Sequence, residues 1–170
     1  IIDGDSTAMF LRPFLVVGLL ACVSHAVALE AASHFSDYMV FQRDAKVPVW
    51  GTAEPGAKVT VAFAGQTVSA KAGKDGKWRL ALKPLKASAK NRELTISSGG
   101  KKKAIKNVLV GEVWVGSGQS NMAGAVASYA KNDPTLAKLL ENAPYPSMRL
   151  MRGGPKPKWI PADKAGIPRF

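Results

Sequence analysis

The chain has 170 residues, of which 46% are hydrophobic and 21% are charged, and it contains one cysteine. This composition excludes wholesale disorder, collagen-like repeats and a multi-pass membrane protein, and a single cysteine excludes an internal disulfide. The net charge of +12 would ordinarily point first to a nucleic-acid partner, so the position of that charge along the chain matters.

The first 28 residues have the organisation of a secretory signal peptide. A positive residue follows Met9, an uncharged apolar run covers residues 14–23, and Ala26-Val27-Ala28 matches a cleavage site. The run is too short for a comfortable membrane span. We therefore expect an exported protein in which residues 1–28 are upstream sequence and signal peptide. Lipid attachment at Cys22 is a minor alternative, and a buried core helix is disfavoured because all three parts of the pattern agree.

Residues 29–106 show short strand patterns separated by turns, without a convincing helix. Apolar and polar residues alternate from Lys58 to Phe63, which is typical of a strand with one buried face. Pro55-Gly56 and Asp75-Gly76 are turn sequences. This regular spacing predicts an immunoglobulin-like β-sandwich. The predicted strands cover residues 38–42, 47–51, 58–63, 66–70, 78–82, 93–97 and 104–105.

The positive charge is concentrated in this predicted sandwich. Between Lys58 and Lys106, thirteen Lys and Arg residues are opposed only by Asp75 and Glu93, which gives a local net charge of +11. One interpretation is a surface that binds nucleic acid or another polyanion. A solvated, lysine-rich surface is the favoured interpretation, because Lys outnumbers Arg and no aromatic residues are interleaved with the lysine run. We expect that run, Lys101-Lys102-Lys103, at a hairpin tip.

The pattern changes at residue 107. Residues 107–115 are almost continuously apolar, which predicts a strand buried on both faces of a parallel sheet. A serine at the carboxyl edge of such a sheet is well placed for a nucleophile. Gly116 and Gly118 would allow a tight turn, and the backbone N–H of Ser120 could donate to an oxyanion. Because Met122 replaces the second glycine of the hydrolase elbow, a simple polar loop is an equal alternative.

The segments that follow predict the opening of an α/β domain. Asp133 is a suitable N-cap for a helix over residues 135–142, whose leucines fall on one face. Residues 147–152 predict a second strand, and residues 153–168 predict a loop rich in Pro, Gly and Lys. Strand, helix and strand in this order form a βαβ unit.

Four blocks of sequence occur in an order that carries a family resemblance. They are HFSDYMVFQR at 34–43, VPVWGTAEPG at 47–56, DGKW at 75–78 and NVLVGEVWVGSGQSNM at 107–122. With Pro146 to Leu150 and Trp159, they resemble the sialate O-acetylesterase family of SGNH-type carbohydrate esterases over nearly all of residues 31–170. The resemblance implies a multidomain β plus α/β protein. An immunoglobulin-like β-sandwich at 29–106 would be an accessory domain, followed at 107–170 by the truncated start of an SGNH-type α/β hydrolase domain.

The resemblance also implies roles for individual residues. Ser120 would be the nucleophile that attacks the acetyl ester of an O-acetylated sugar. Gly118, Gln119 and Asn121 would support the oxyanion or the substrate. A His from an Asp-x-x-His block would be the general base. No metal or organic cofactor is expected, and a signal peptide makes nucleic acid an unnatural partner.

The sequence departs from the family pattern at the base. Its two histidines are His25, inside the predicted signal peptide, and His34, at the start of the predicted sandwich. The family's oxyanion blocks and its Asp-x-x-His block are absent, and residues 123–128 are small where the family has bulky side chains. We therefore expect an amino-terminal fragment that is inactive or nearly so alone. The alternative is a secreted, non-catalytic β-sandwich module that binds acidic polysaccharide or another polyanion.

Overall fold

The fold was analysed in a computed structural model. The structure describes residues 28–119, 126–142, 145–152, 154 and 157–162. The predicted signal peptide, with Met9, Cys22 and His25, lies outside the described residues, as do Ser120 and Asn121.

The described residues are mostly β-strand, with two short helices. The strands are β1 Glu30–Ala31, β2 Val40–Gln42, β3 Val47–Thr52, β4 Lys58–Phe63, β5 Gln66–Lys71, β6 Lys77–Leu82, β7 Ser88–Ser98, β8 Lys101–Gly111, β9 Arg149–Arg152 and β10 Lys158–Pro161. The helices are α1 Val126–Ala130 and α2 Pro134–Glu141. Among the described residues, no helix is long and apolar enough to cross a membrane.

The strands form three sheets. One has three strands in the order β1-β3-β6, one has five in the order β2-β8-β7-β4-β5, and β9 pairs with β10 alone. The five-stranded sheet is mixed, because β2 pairs with β8 in parallel while its other pairs are antiparallel. The predicted strands between residues 38 and 105 are thus confirmed in number and approximate position.

One hydrophobic core lies between the three-stranded and five-stranded sheets. It takes alternate residues from β3, β4 and β6, as the period of two predicts: Val59, Val61 and Phe63 of β4 are buried, and so are Trp78, Leu80 and Leu82 of β6. The Phe41 and Phe63 rings meet edge to face, with centroids 5.1 Å apart. Two sheets around one core are compatible with the predicted sandwich, whose immunoglobulin-like topology stays a prediction.

The predicted buried strand over residues 107–115 is present only in its first half. Val108, Leu109 and Val110 are buried in succession and β8 pairs in parallel with β2, as predicted, but the strand ends at Gly111 and is not separate. Residues 107–111 are the end of β8, which begins at Lys101 and belongs to the five-stranded sheet. The turn before it lies at Gly99-Gly100, so the three lysines are in the strand rather than at the tip. The strand therefore passes through the predicted domain boundary at 106/107, and the division into domains stays a prediction.

A bulge in β8 explains the misleading apolar run. Arg92 pairs with Val108, but Leu94 pairs with Ile105, so β8 uses one more residue than β7 between these pairs. Asn107 lies in that interval with φ of 57°, a left-handed conformation that Asn tolerates. The extra residue shifts the alternation of inward and outward side chains by one position. As a result, Ile105, Val108 and Val110 all lie in the core.

The carboxyl-terminal part differs from the predicted βαβ unit. Residues 158–161, predicted as loop, form β10, which pairs antiparallel with β9. Within the described ranges, β9 has no parallel partner. Helix α2 is confirmed, with the Asp133 carboxylate accepting hydrogen bonds from Thr135 N at 2.8 Å and Leu136 N at 3.1 Å.

The β9–β10 hairpin contacts the first part of the chain. Trp159 of β10 packs against the core, and its indole Nε1 donates a 3.0 Å hydrogen bond to the carbonyl of His34. The Arg149 guanidinium lies 5.8 Å from the centre of the Tyr38 ring. These contacts join segments more than a hundred residues apart, which the sequence pattern alone does not reveal.

Strand β1 approaches β3 closely at Gly51. A Cβ atom on Gly51 would lie 1.9 Å from the carbonyl oxygen of Glu30 and 2.9 Å from Ala31 Cα. Because both contacts are backbone, we expect Gly51→Ala to detach β1 and to lower the free energy of unfolding by about 1–3 kcal/mol. Urea unfolding of the two proteins measures the difference.

Gly111→Ala is the matched control for this substitution. Its Cβ would meet only the Val40 Cγ1 atom, at an ordinary contact distance of 3.6 Å. We expect a change below about 0.5 kcal/mol. Equal losses in the two variants would contradict the close approach of β1 and β3.

Candidate active site

The segment that leads to the predicted nucleophile leaves the sheet at the end of β8. Residues 112–119 have no regular secondary structure and are exposed, including Gly118 and Gln119. Ser120 and Asn121 follow directly but lie outside the described residues, so their roles stay predictions. The structure thus gives the start of the site: a strand end followed by an exposed segment.

A polar cluster holds the beginning of this segment. The Gln42 side chain accepts a 2.8 Å hydrogen bond from Val113 N and donates a 3.0 Å hydrogen bond to Glu112 Oε2. Arg43 Nε donates to the other oxygen of Glu112, and Arg43 N donates to the carbonyl of Gly111 at 2.9 Å. Hydrogen bonds therefore hold the end of β2 beside residues 111–113, where the chain leaves β8.

A second carboxylate extends this cluster. Asp44 Oδ2 lies 3.0 Å from Arg43 Nη1, and its Oδ1 lies 2.8 Å from Lys86 Nζ. The hydrogen bond from Lys86 lowers the pKa of Asp44, and hydrogen bonds from Gln42 and Arg43 lower the pKa of Glu112. The hydrogen bond with Glu112 raises the pKa of Arg43. Arg43, Asp44 and Glu112 are therefore charged at neutral pH.

The lowered pKa of Glu112 gives a pH dependence with a definite sign. Its ordinary value is 4.5, and the folded protein favours the ionised form, so the stabilisation is present above about pH 4.5 and is lost as the pH falls through the lower, folded-state pKa. We expect Glu112→Gln to lower Tm slightly at pH 7, and this difference to shrink as the pH falls from 4.5 through the folded-state pKa of Glu112. Thermal unfolding between pH 3 and 7 measures this.

Glu141→Gln is the control for this pH series. Glu141 is an exposed residue of α2 and forms no ion pair with any residue in the described part of the chain. Its Tm curve should follow that of the unchanged protein throughout. A Glu112→Gln difference that does not shrink at all between pH 7 and pH 3 would contradict an ionic origin.

His34 packs against aromatic side chains. Its ring centre lies 4.2 Å from that of Phe35 and 4.6 Å from that of Trp50. Partial burial lowers its pKa from the ordinary value of 6.5. It sits in an aromatic cluster of the three-stranded sheet region, an environment that accounts for it without a catalytic role.

Large apolar side chains are exposed around the segment and in the helices. Trp114 is 86% exposed and Val115 is 91% exposed, whereas the sequence predicted them to be buried. No residue of α2 is buried, although its leucines share one face as predicted, and Leu139 is 46% exposed. Apolar surface of this kind is typical of a face that another part of a protein covers.

No metal site is indicated by the described ranges, in which no three His, Cys, Asp or Glu side chains are grouped.

The Gln42–Arg43–Glu112 cluster was not predicted from the sequence. Gln42 and Arg43 lie about seventy residues before Glu112, and the three side chains meet only because β2 pairs in parallel with β8. The sequence contained only a weak signal for this cluster: polar residues at the end of β2 and a carboxylate directly after β8.

Comparisons with known proteins identify the chain's relatives. No protein-family model matches it. The sialate O-acetylesterase of Homo sapiens is 31% identical over 160 residues, covering 84% of this chain and 30% of the human protein. That of Mus musculus is 30% identical over 148 residues, covering 80% of this chain and 27% of the mouse protein.

A solved structure agrees with these relatives. A carbohydrate acetylesterase from Xanthomonas citri matches with a TM-score of 0.68 and 25% identity, over 83% of this chain and 34% of that one. By family, the chain is therefore related to proteins named as esterases. More narrowly, it belongs to the sialate O-acetylesterase family. It spans about 30% of the length of the human protein.

Proposed function

We propose that this chain is part of a carbohydrate O-acetylesterase that removes acetyl groups from O-acetylated sugars. The observation that carries this proposal is its similarity, across four-fifths of its length, to proteins named sialate O-acetylesterase. The solved neighbour, named a carbohydrate acetylesterase, supports the same substrate class.

In this proposal the Ser120 hydroxyl attacks the acetyl carbonyl carbon and forms a tetrahedral intermediate. The backbone N–H of Ser120 donates to the oxyanion, and the glycine at 118 lets the substrate approach the backbone. Collapse breaks the ester bond, releases the sugar hydroxyl and leaves an acetyl-enzyme, which water hydrolyses to acetate. Gln119 and Asn121 shape the turn or bind the substrate.

A serine hydroxyl keeps its proton at neutral pH, so this mechanism needs a general base. His34 is packed against aromatic rings, and its lowered pKa reflects burial rather than a carboxylate partner. We infer that the base is a histidine outside these 170 residues, and that the chain alone releases no acetate above background.

The exposed apolar side chains support an α/β hydrolase domain larger than the described part. Such a domain would cover Trp114, Val115 and the leucine face of α2, which are costly to leave in water. We therefore propose that residues after β8 begin an SGNH-type domain and that the two sheets before them form an accessory domain.

Export remains part of the proposal, on the pattern of residues 9–28. It makes an extracellular or periplasmic glycan the natural substrate and disfavours nucleic acid. The mechanism as proposed uses only serine, histidine and backbone chemistry, so it calls for no cofactor.

The test is an acetate-release assay on the product of the complete open reading frame. The substrates are O-acetylated N-acetylneuraminic acid and an O-acetylated plant polysaccharide, with the unacetylated sugars as blanks. We expect release from at least one of them and none from the 170-residue chain. If the complete protein releases no acetate from either substrate but still binds the polysaccharide, the non-catalytic module is the better assignment.

A further inference from the structure

A groove lies on the three-stranded sheet, whereas β8, the strand that leads to the predicted nucleophile, belongs to the five-stranded sheet. The groove has a volume of about 520 Å³, and its walls come from β1, β3 and β6. Its polar and aromatic lining includes Glu30, Trp50, Lys77 and Arg79. Trp50 pairs directly with Arg79 across β3 and β6, so an aromatic ring and a cation face the same side of the sheet.

The Trp50 ring is fixed in place and still partly open. His34 lies 4.6 Å from its centre, Phe35 meets it edge to face at 5.0 Å, and the Arg79 guanidinium lies 5.8 Å from it. The residue is nonetheless 37% exposed. A ring that is already held by three neighbours loses little conformational entropy when a ligand binds.

Arg79 supplies the unneutralised charge of the groove. Lys77 pairs with Asp75 at 3.3 Å, and Glu30 pairs with Lys103. Arg79 is exposed and forms no ion pair with any residue that the structure describes. A guanidinium in this state can bind a carboxylate through two parallel hydrogen bonds.

We propose that this groove binds a carboxylated sugar unit of a glycan. Arg79 binds the carboxylate, and the exposed part of the Trp50 ring contacts the apolar face of the sugar ring. The local net charge of +11 between Lys58 and Lys106 attracts such an anion at longer range. Binding needs neither Ser120 nor ester hydrolysis, so it can fail or succeed separately from the proposed function.

The experiment is a calorimetric titration of the 170-residue chain with the methyl glycoside of N-acetylneuraminic acid. Its methyl ester, which lacks the negative charge, is the comparison ligand. We expect the ester to bind at least about tenfold more weakly than the acid. Arg79→Gln and Trp50→Ala should each weaken binding of the acid by a similar factor.

Lys71→Gln is the matched charge control. Lys71 is exposed on β5, outside the groove, and forms no ion pair in the described part of the chain. Its affinity should stay within about twofold, because one surface charge acts weakly through salt solution.

Three results would overturn the proposal: no binding of the acid, equal binding of the ester, or an equal loss in Lys71→Gln. The third would indicate general attraction of anions. If Trp50→Ala does not fold by circular dichroism, Trp50→Phe replaces it, and the exposed Arg79 provides an independent variant.

Discussion

Replacing Ser120 with alanine should lower acetate release by the complete protein at least ~10³-fold, because no other group in the proposed mechanism can form the acetyl-enzyme. The substrate affinity should change little, since the hydroxyl contributes mainly to the chemical step. The measurement is kcat and KM for acetate release from the O-acetylated sugar that the complete protein hydrolyses. A fall in kcat with a nearly constant KM is the expected signature.

Ser117→Ala is the matched control for this prediction. Ser117 lies in the same exposed segment, three residues before Ser120, and has the same side chain. We expect its kcat to stay within a few-fold of the unchanged protein. Comparable losses in both variants would indicate that the segment is merely sensitive to substitution, and full activity in Ser120→Ala would exclude it as the nucleophile.

The strands of the two sheets could be predicted because their pattern is local. In β4 and β6 every second residue is buried, and the turns before β4, β5, β6 and β8 contain Gly. The run at 107–115 could not be divided correctly, because a continuous apolar sequence has no period from which the bulge at Asn107 or the end at Gly111 can be found. Val113, Trp114 and Val115 are exposed, although they are as apolar as the buried residues 108–110.

Only the sequence motif of the candidate site could be predicted, not the contacts around it. The glycine-rich segment and Ser120 were recognisable, but the contacts that hold the segment's start depend on the parallel pairing of β2 with β8. Parallel pairing joins distant residues, and nothing in Gln42 or Arg43 indicates a partner at Glu112. For the same reason the sequence did not show that Trp159 contacts His34.

Replacing Leu94 with alanine should lower the free energy of unfolding by about 2–5 kcal/mol. Leu94 is a fully buried residue of β7, it pairs with Ile105, and it belongs to the core shared by the two sheets. Removing its branched end leaves a cavity that close-packed neighbours cannot fill. Because domains are stable by only about 5–15 kcal/mol, this is a large fraction of the total. Urea unfolding followed by tryptophan fluorescence measures it.

Leu139→Ala removes the same atoms from a different environment and so isolates burial as the cause. Leu139 lies on α2 and is 46% exposed, so in this chain its loss should cost less than about 0.5–1 kcal/mol. In the complete protein the same substitution should become more costly if a larger domain covers that face, whereas the cost of Leu94→Ala should stay the same. Equal costs for Leu139→Ala in both proteins would contradict the proposal that α2 packs against the rest of a hydrolase domain.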